Sequence, residues 1–154
     1  MNSVIVLPSY NEKENIVSLI RTIIDLDKNF TVIVVDDNSP DKTYEVVSDF
    51  KNKLSDKETE RVQIIKRQKK DGRGGAIWEG MRMAYESENE FENFIEMDCD
   101  FSHDPNYIRN GINLLMDGND LVLGSRYPDG KIINWPIKRR IISFFANLLV
   151  RVFI

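Results

Sequence analysis

TVIVVDDNSPD, residues 31–41, is the stretch from which the fold can be read. Residues 31–35 are β-branched without interruption, the pattern of a strand buried on both faces rather than of one with a wet side. An acidic pair, Asp36-Asp37, follows at once, and Ser39-Pro40-Asp41 then opens a helix carrying Val46, Val47 and Phe50. The same grammar recurs on either side. Residues 4–7 form an apolar run that ends at Pro8. Asn11 is then expected to cap a helix, with Glu14 three residues on, and Ile16, Leu19, Ile20, Ile23 and Ile24 give that helix one core face. Downstream, residues 62–65 read as a third strand. A turn at Gly72-Arg73-Gly74-Gly75 leads into a helix containing Ala76, Ile77, Met81 and Ala84. Residues 94–97 form a fourth strand ending at Asp98, Pro105 starts a helix through Ile108, Ile112 and Leu115, and residues 120–123 read as a fifth strand. Strands and helices that alternate in this way predict an α/β chain, with a Rossmann-like, mostly parallel sheet and helices on both faces. Ligands of such sheets bind beyond the carboxyl ends of the strands. The chemically interesting residues lie at those ends: Pro8-Ser9-Tyr10, Asp36-Asp37-Asn38, Asp98-Cys99-Asp100 and Gly124-Ser125-Arg126.

The 154 residues suffice for one domain, and 42% hydrophobic with 30% charged residues is a globular composition. A net charge of −4 argues against a general nucleic-acid binder. The one cysteine rules out an internal disulfide, and no signal-type segment precedes the first strand, so a cytoplasmic setting is expected. The charge is unevenly spread. Lys131, Lys138, Arg139, Arg140 and Arg151 follow residue 130 with no acidic residue among them, and of residues 141–154 only Ser143, Asn147 and Arg151 are not apolar. That run is shorter than the ~20 residues that span a bilayer. It is read either as a buried core helix or as a peripheral contact at the cytoplasmic face of a membrane, with the basic residues toward anionic headgroups. The pattern stops without a cap, so the domain at 1–154 is expected to continue beyond residue 154.

Asp98-x-Asp100 puts two hard oxygen ligands past a buried strand, provided that a bend brings both to one side. Such a pair suits Mg²⁺ or Mn²⁺ bridging a diphosphate; the alternative is a polar loop in which Asp104 caps the next helix. Asp36-Asp37 could accept hydrogen bonds from a base or ribose, or could form a turn with Asn38, Ser39 and Asp41. Gly72 to Gly75 is neither a Walker loop nor a good dinucleotide fingerprint. Arg126 could pair with phosphate. His103, the only histidine, reads as a loop residue, and Cys99 reads as a small strand-end filler rather than a nucleophile.

Taken in order, VLPSYNEKENI (6–16), VDDNSPDKT (35–43), GRGGA (72–76), MDCDFSHDP (97–105) and GSRYPDG (124–130) resemble family-2 glycosyltransferases, nearest to the dolichol- or polyprenol-phosphate mannose synthases. The resemblance continues through Trp135-Pro136 and Arg139 to Ala146-Asn147. It implies a GT-A fold and a metal-dependent, inverting transfer of a hexose, mannose or glucose, from a nucleotide sugar of the GDP-mannose or UDP-glucose class to a polyprenyl or dolichyl phosphate. Carried over to this chain, Pro8, Tyr10 and Glu12 line the nucleotide pocket, with Cys99 between the two carboxylates and Asp37 near the base. Asp98 and Asp100 bind the metal–diphosphate, with Ser102 as a further polar ligand. Arg126 and Arg139 contact the phosphates or the acceptor. The chain departs from the pattern in two places. Relatives commonly have Gly-Leu-Gly-Thr-Ala where Gly72-Arg73-Gly74-Gly75-Ala76 stands here, and often a basic residue at the position of Phe144. A phosphate acceptor is already anionic near neutral pH and needs no general base, which fits a chain with one histidine. Three alternatives stay open at this point: transfer to a saccharide hydroxyl, a receiver-like domain and a nucleotidyltransferase. The receiver is disfavoured because its phosphorylated aspartate would end the third strand, where Lys66 and Arg67 stand. The nucleotidyltransferase is disfavoured because Pro8-Ser9-Tyr10-Asn11 replaces a glycine-rich loop.

Overall fold

The computed structural model describes residues 1–125 and 136–153, apart from the side chain of Arg151. Two compact units are present, Met1–Gly118 and Asn119–Ile154. The first holds strands β1 (Ser3–Ser9), β2 (Phe30–Asp36), β3 (Val62–Lys66) and β4 (Asn93–Glu96). Its helices are α1 (Ile16–Leu26), α2 (Thr43–Lys51), α3 (Asp56–Thr59), α4 (Arg73–Glu86) and α5 (Ile108–Met116), the last entered through a 3-10 turn at Pro105–Tyr107. The second unit contains α6 (Ile137–Phe153).

All the strand pairings are parallel, in the order β3-β2-β1-β4. Side chains alternate across the sheet and make two cores. Ile5, Leu7, Val32 and Val34 pack with Ile16, Leu19, Ile20 and Ile23 of α1, Val47 of α2 and Ile108 of α5. Val4, Val6, Ile33 and Val35 pack on the other face with Ala76 and Ala84 of α4. Every apolar residue of β1 and β2 from Val4 to Leu7 and from Val32 to Val35 is buried, which is why the sequence shows unbroken runs there. α4 lies close to the sheet because Gly80 faces it: a Cβ at that position would stand 2.5 Å from Val6 Cγ1 and 2.9 Å from Val35 Cγ2.

Several local expectations are corrected. Asn11 does not cap α1; its φ is 62°, and the helix starts at Ile16, whose N–H donates to Glu12 O at 3.0 Å. The side chain of Asn15 meanwhile donates to Glu12 Oε2. The helix expected to open at Ser39-Pro40-Asp41 begins at Thr43, where Asp41 Oδ1 accepts from both the N–H and the hydroxyl of Thr43. Residues 120–123 form no strand, because an apolar run becomes a strand only where a neighbour supplies ladder hydrogen bonds. Leu121 and Leu123 are exposed instead. In α6 the side chains of Ile141, Phe144, Phe145, Leu148, Leu149 and Val152 are exposed. No helix among the described residues is long and apolar enough to cross a membrane.

Candidate active site

With β1 central, the chain leaves it toward β2 on one side and returns to β4 on the other. The carboxyl ends of β1 and β4 therefore flank a topological switch point, where a crevice opens in such sheets. A cleft of about 300 Å³ lies there. Pro8, Tyr10 and Glu12 line it from the end of β1, Asp37 from the end of β2, and Asp98, Cys99 and Asp100 from the end of β4. All seven residues expected at the nucleotide site are thus gathered in one place. Ser102 sits on the same loop, and its N–H donates to Asp100 Oδ1 at 2.9 Å. Arg139 lies in the first turn of α6, in the second unit, and Arg126 falls outside the described residues.

Asp36 and Asp37 have separate tasks. Asp36 accepts from the N–H (3.0 Å) and hydroxyl (2.5 Å) of Ser39, whose Oγ in turn accepts from the Asn11 N–H at 3.0 Å. The Glu12 N–H donates to Thr43 Oγ1 and the Lys13 N–H to Asp41 Oδ2, so the loop after β2 carries the loop after β1. The local-turn reading therefore holds for Asp36 and Asp41. Asp37 is buried, and its carboxylate accepts from Arg67 at 2.6 Å and from the backbone N–H groups of Asp71 and Gly72. Burial alone pushes its pKa up, but these hydrogen bonds outweigh burial and hold it below the ordinary value.

Past β4 the chain bends from Cys99 onward, the bend that the two carboxylates require. Cys99 turns inward and its Sγ–H donates to Pro8 O at 3.3 Å; burial, reinforced by the nearby carboxylates, raises its pKa, so the thiol stays protonated and serves as packing. Asp98 and Asp100 line the cleft on either side of Cys99. Burial, together with repulsion from Asp100, Asp41 and Asp98, raises the Glu12 pKa despite its bond to Asn15. His103 belongs to this loop: its Nδ1 accepts from the Asp98 N–H at 3.1 Å, and its Nε2 lies 3.6 Å from Asp98 Oδ2. The cap on the next turn comes from Asp104, which accepts from the Asn106 N–H.

Three cations here escaped the sequence reading. Arg67, mostly buried, bridges Asp37 and Glu79. Lys70 Nζ lies 3.5 Å from the centroid of the Tyr10 ring, at the cleft. Arg73, the first residue of α4, pairs with Glu96 and, at 3.0 Å, with Asp98. The basic character of residues 66–73 was the available signal, but which carboxylate each cation meets depends on the fold. Among the described residues no group of three or more His, Cys, Asp or Glu side chains converges as ready-made metal ligands. Asp98 and Asp100 are still hard oxygen donors of the type that Mg²⁺ and Mn²⁺ accept, and such ions commonly take only one or two carboxylates beside substrate phosphates.

The chain matches the Glycosyl transferase family 2 description over residues 4–151, and it belongs to that family. It is 34% identical over 151 residues to the dolichol-phosphate mannosyltransferase of Pyrococcus furiosus, covering 96% of this chain and 40% of that protein. It is 35% identical over 153 residues to the undecaprenyl-phosphate mannosyltransferase of Micrococcus luteus, covering 99% of this chain and 60% of that protein. The chain thus spans between 40% and 60% of the length of these two relatives. Among solved structures, S. aureus TarS overlaps 65% of this chain and 17% of its own at 26% identity, with a TM-score of 0.46, too low for the fold to rest on. The parallel sheet described above is what carries the α/β assignment, and it agrees with the GT-A-type architecture that the resemblance implies. Family membership also removes the receiver and nucleotidyltransferase alternatives.

The Asp37 linkage gives a pH signature. Its folded pKa is depressed, so its contribution is complete above the unfolded value, about 4, and is lost as pH falls through the lower folded value. Asp37→Asn leaves Arg67 short of a buried partner and should cost about 2–3 kcal/mol at pH 7. Urea unfolding at several pH values should show that deficit shrinking below about pH 4; a deficit that does not vary with pH contradicts the linkage.

Proposed function

We propose that this chain carries the donor site of an inverting hexosyltransferase that moves mannose from a nucleoside-diphosphate sugar to a polyprenyl phosphate. The observation that carries the reading is the switch-point cleft with Asp98 and Asp100 at its edge in a family-2 chain. The names of both mannosyltransferase relatives point to mannose as the sugar and to a polyprenyl phosphate as the acceptor.

In this reading Pro8, Tyr10, Glu12 and Cys99 wall the nucleotide. Asp37 is assigned to the base end of the cleft, its carboxylate held in place by Arg67 and by the Asp71 and Gly72 N–H groups. Asp98, Asp100 and Ser102 would hold Mg²⁺ or Mn²⁺. When bound, the cation supplies charge neutralisation to the departing diphosphate. Lys70, close to Tyr10, adds positive charge at the same cleft. Arg126 and Arg139 are assigned to the phosphates and the acceptor. An acceptor phosphate oxygen attacks the anomeric carbon as the bond to the nucleoside diphosphate breaks, and the configuration inverts. The acceptor oxygen is already anionic, so no side chain has to remove a proton, and the protein's work is orientation and electrostatics.

The direct test supplies GDP-mannose or UDP-glucose, labelled in the sugar, together with polyprenyl phosphate and Mn²⁺. Label from GDP-mannose should enter the organic phase as a β-linked polyprenyl phosphate. Label that stays aqueous with both donors, or an α-linked product, overturns the reading.

α6 suits the acceptor side. Lys138, Arg139 and Arg140 share its first turn, which itself contains no acidic residue, and its large apolar residues are exposed. Each basic residue near an anionic surface contributes about 1 kcal/mol, so a peripheral contact of this helix with a cytoplasmic membrane face should be strongly salt-dependent. Co-sedimentation with anionic vesicles at low salt, lost at high salt, is the expected result. Protein left in the supernatant at low salt with both anionic and neutral vesicles contradicts it.

A further inference from the structure

We propose that Arg73 is a built-in counter-ion on Asp98 that a divalent cation has to displace; this rests on the reading of Asp98 as a metal ligand. Both Nε and Nη2 of Arg73 lie 3.0 Å from Asp98 Oδ1, and Nη2 also pairs with Glu96. The guanidinium therefore occupies Oδ1, one of the two Asp98 oxygens, and its charge opposes a second cation at either of them. Neither of the other two cations at this cleft can substitute for it. Arg67 is committed to Asp37 and Glu79, and Lys70 lies over Tyr10. Arg73 is also placed to let go. It is the first residue of α4, it follows Gly72 at φ 88°, and its side chain is half exposed, so rotation away from Asp98 unpacks no core. Gly72 and Arg73 both line the cleft, so a released guanidinium remains where an anionic diphosphate enters. Metal alone must then break an ion pair to bind, whereas metal arriving with a diphosphate gives the guanidinium a new anion.

The test titrates Mn²⁺ alone into the protein and reads free Mn²⁺ by electron paramagnetic resonance. Exposed ion pairs are weak, so Arg73→Gln should tighten Mn²⁺ binding by about three- to fivefold, while Arg73→Lys, which keeps the charge, stays near the wild type. Lys70→Gln removes a cation from the same cleft without touching Asp98, and should change the affinity less than Arg73→Gln does. Equal affinity in the wild type and Arg73→Gln, or an equal gain in Lys70→Gln, overturns the counter-ion role. If Asp98→Asn abolishes binding while Arg73→Gln leaves it unchanged, this inference fails alone and the metal reading stands. If the wild type and every variant fail to bind Mn²⁺, or Asp98→Asn binds as well as the wild type, both fail together.

Discussion

One buried carboxylate holds this cleft in shape. Asp37 closes β2, and by accepting from Arg67 and from the N–H groups of Asp71 and Gly72 it fixes the segment that leads from β3 into α4. An ionised group in so dry a place persists only when it is fully hydrogen-bonded. The strand end, the 67–72 segment and the start of α4 therefore stand or fall together. Arg67 also packs closely on α4: a Cβ at Gly75 would lie 2.8 Å from its Nη2. Asp36 does the matching work on the other side, holding Ser39 and through it the loop at Asn11.

On this frame the cleft is electrostatically mixed. Glu12, Asp98 and Asp100 repel one another strongly enough to raise the Glu12 pKa on top of its burial, while Lys70 and Arg73 bring positive charge to the same walls. Carboxylates outnumber cations among the lining residues, Glu12, Asp37, Asp98 and Asp100 against Lys70 and Arg73. Such a surface is poorly suited to a lone anion and, in the proposed reading, suits a diphosphate that arrives with a cation. The order β3-β2-β1-β4 is what places carboxylates from three different strand ends at one point.

The sequence made the two central strands and the seven cleft residues legible, because burial on both faces writes unbroken apolar runs and polar residues at their ends stand out. It was less informative wherever partners are distant. The fifth strand was inferred from apolar residues alone, and residues 120–123 find no ladder. Asn11 has the chemistry of a cap, but it sits at φ 62° because the loop is tied to Ser39, 28 positions away. The short helix α3, with its reciprocal Ser55–Glu58 capping box, lies in a polar stretch that carries no periodic signal. Arg67, Lys70 and Arg73 read simply as a basic stretch until the fold assigns each its own partner: Asp37 with Glu79, Tyr10, and Asp98 with Glu96.

The central claim is that the cleft binds a nucleoside diphosphate through a cation held by Asp98 and Asp100. Calorimetric titration of GDP and UDP, with and without Mn²⁺, into the wild type and the Asp98→Ala and Asp100→Ala variants measures this directly. The account predicts binding that depends on Mn²⁺ in the wild type and loses that dependence in both variants, with one of the two nucleotides preferred. The same affinity with and without Mn²⁺ in all three proteins would contradict it.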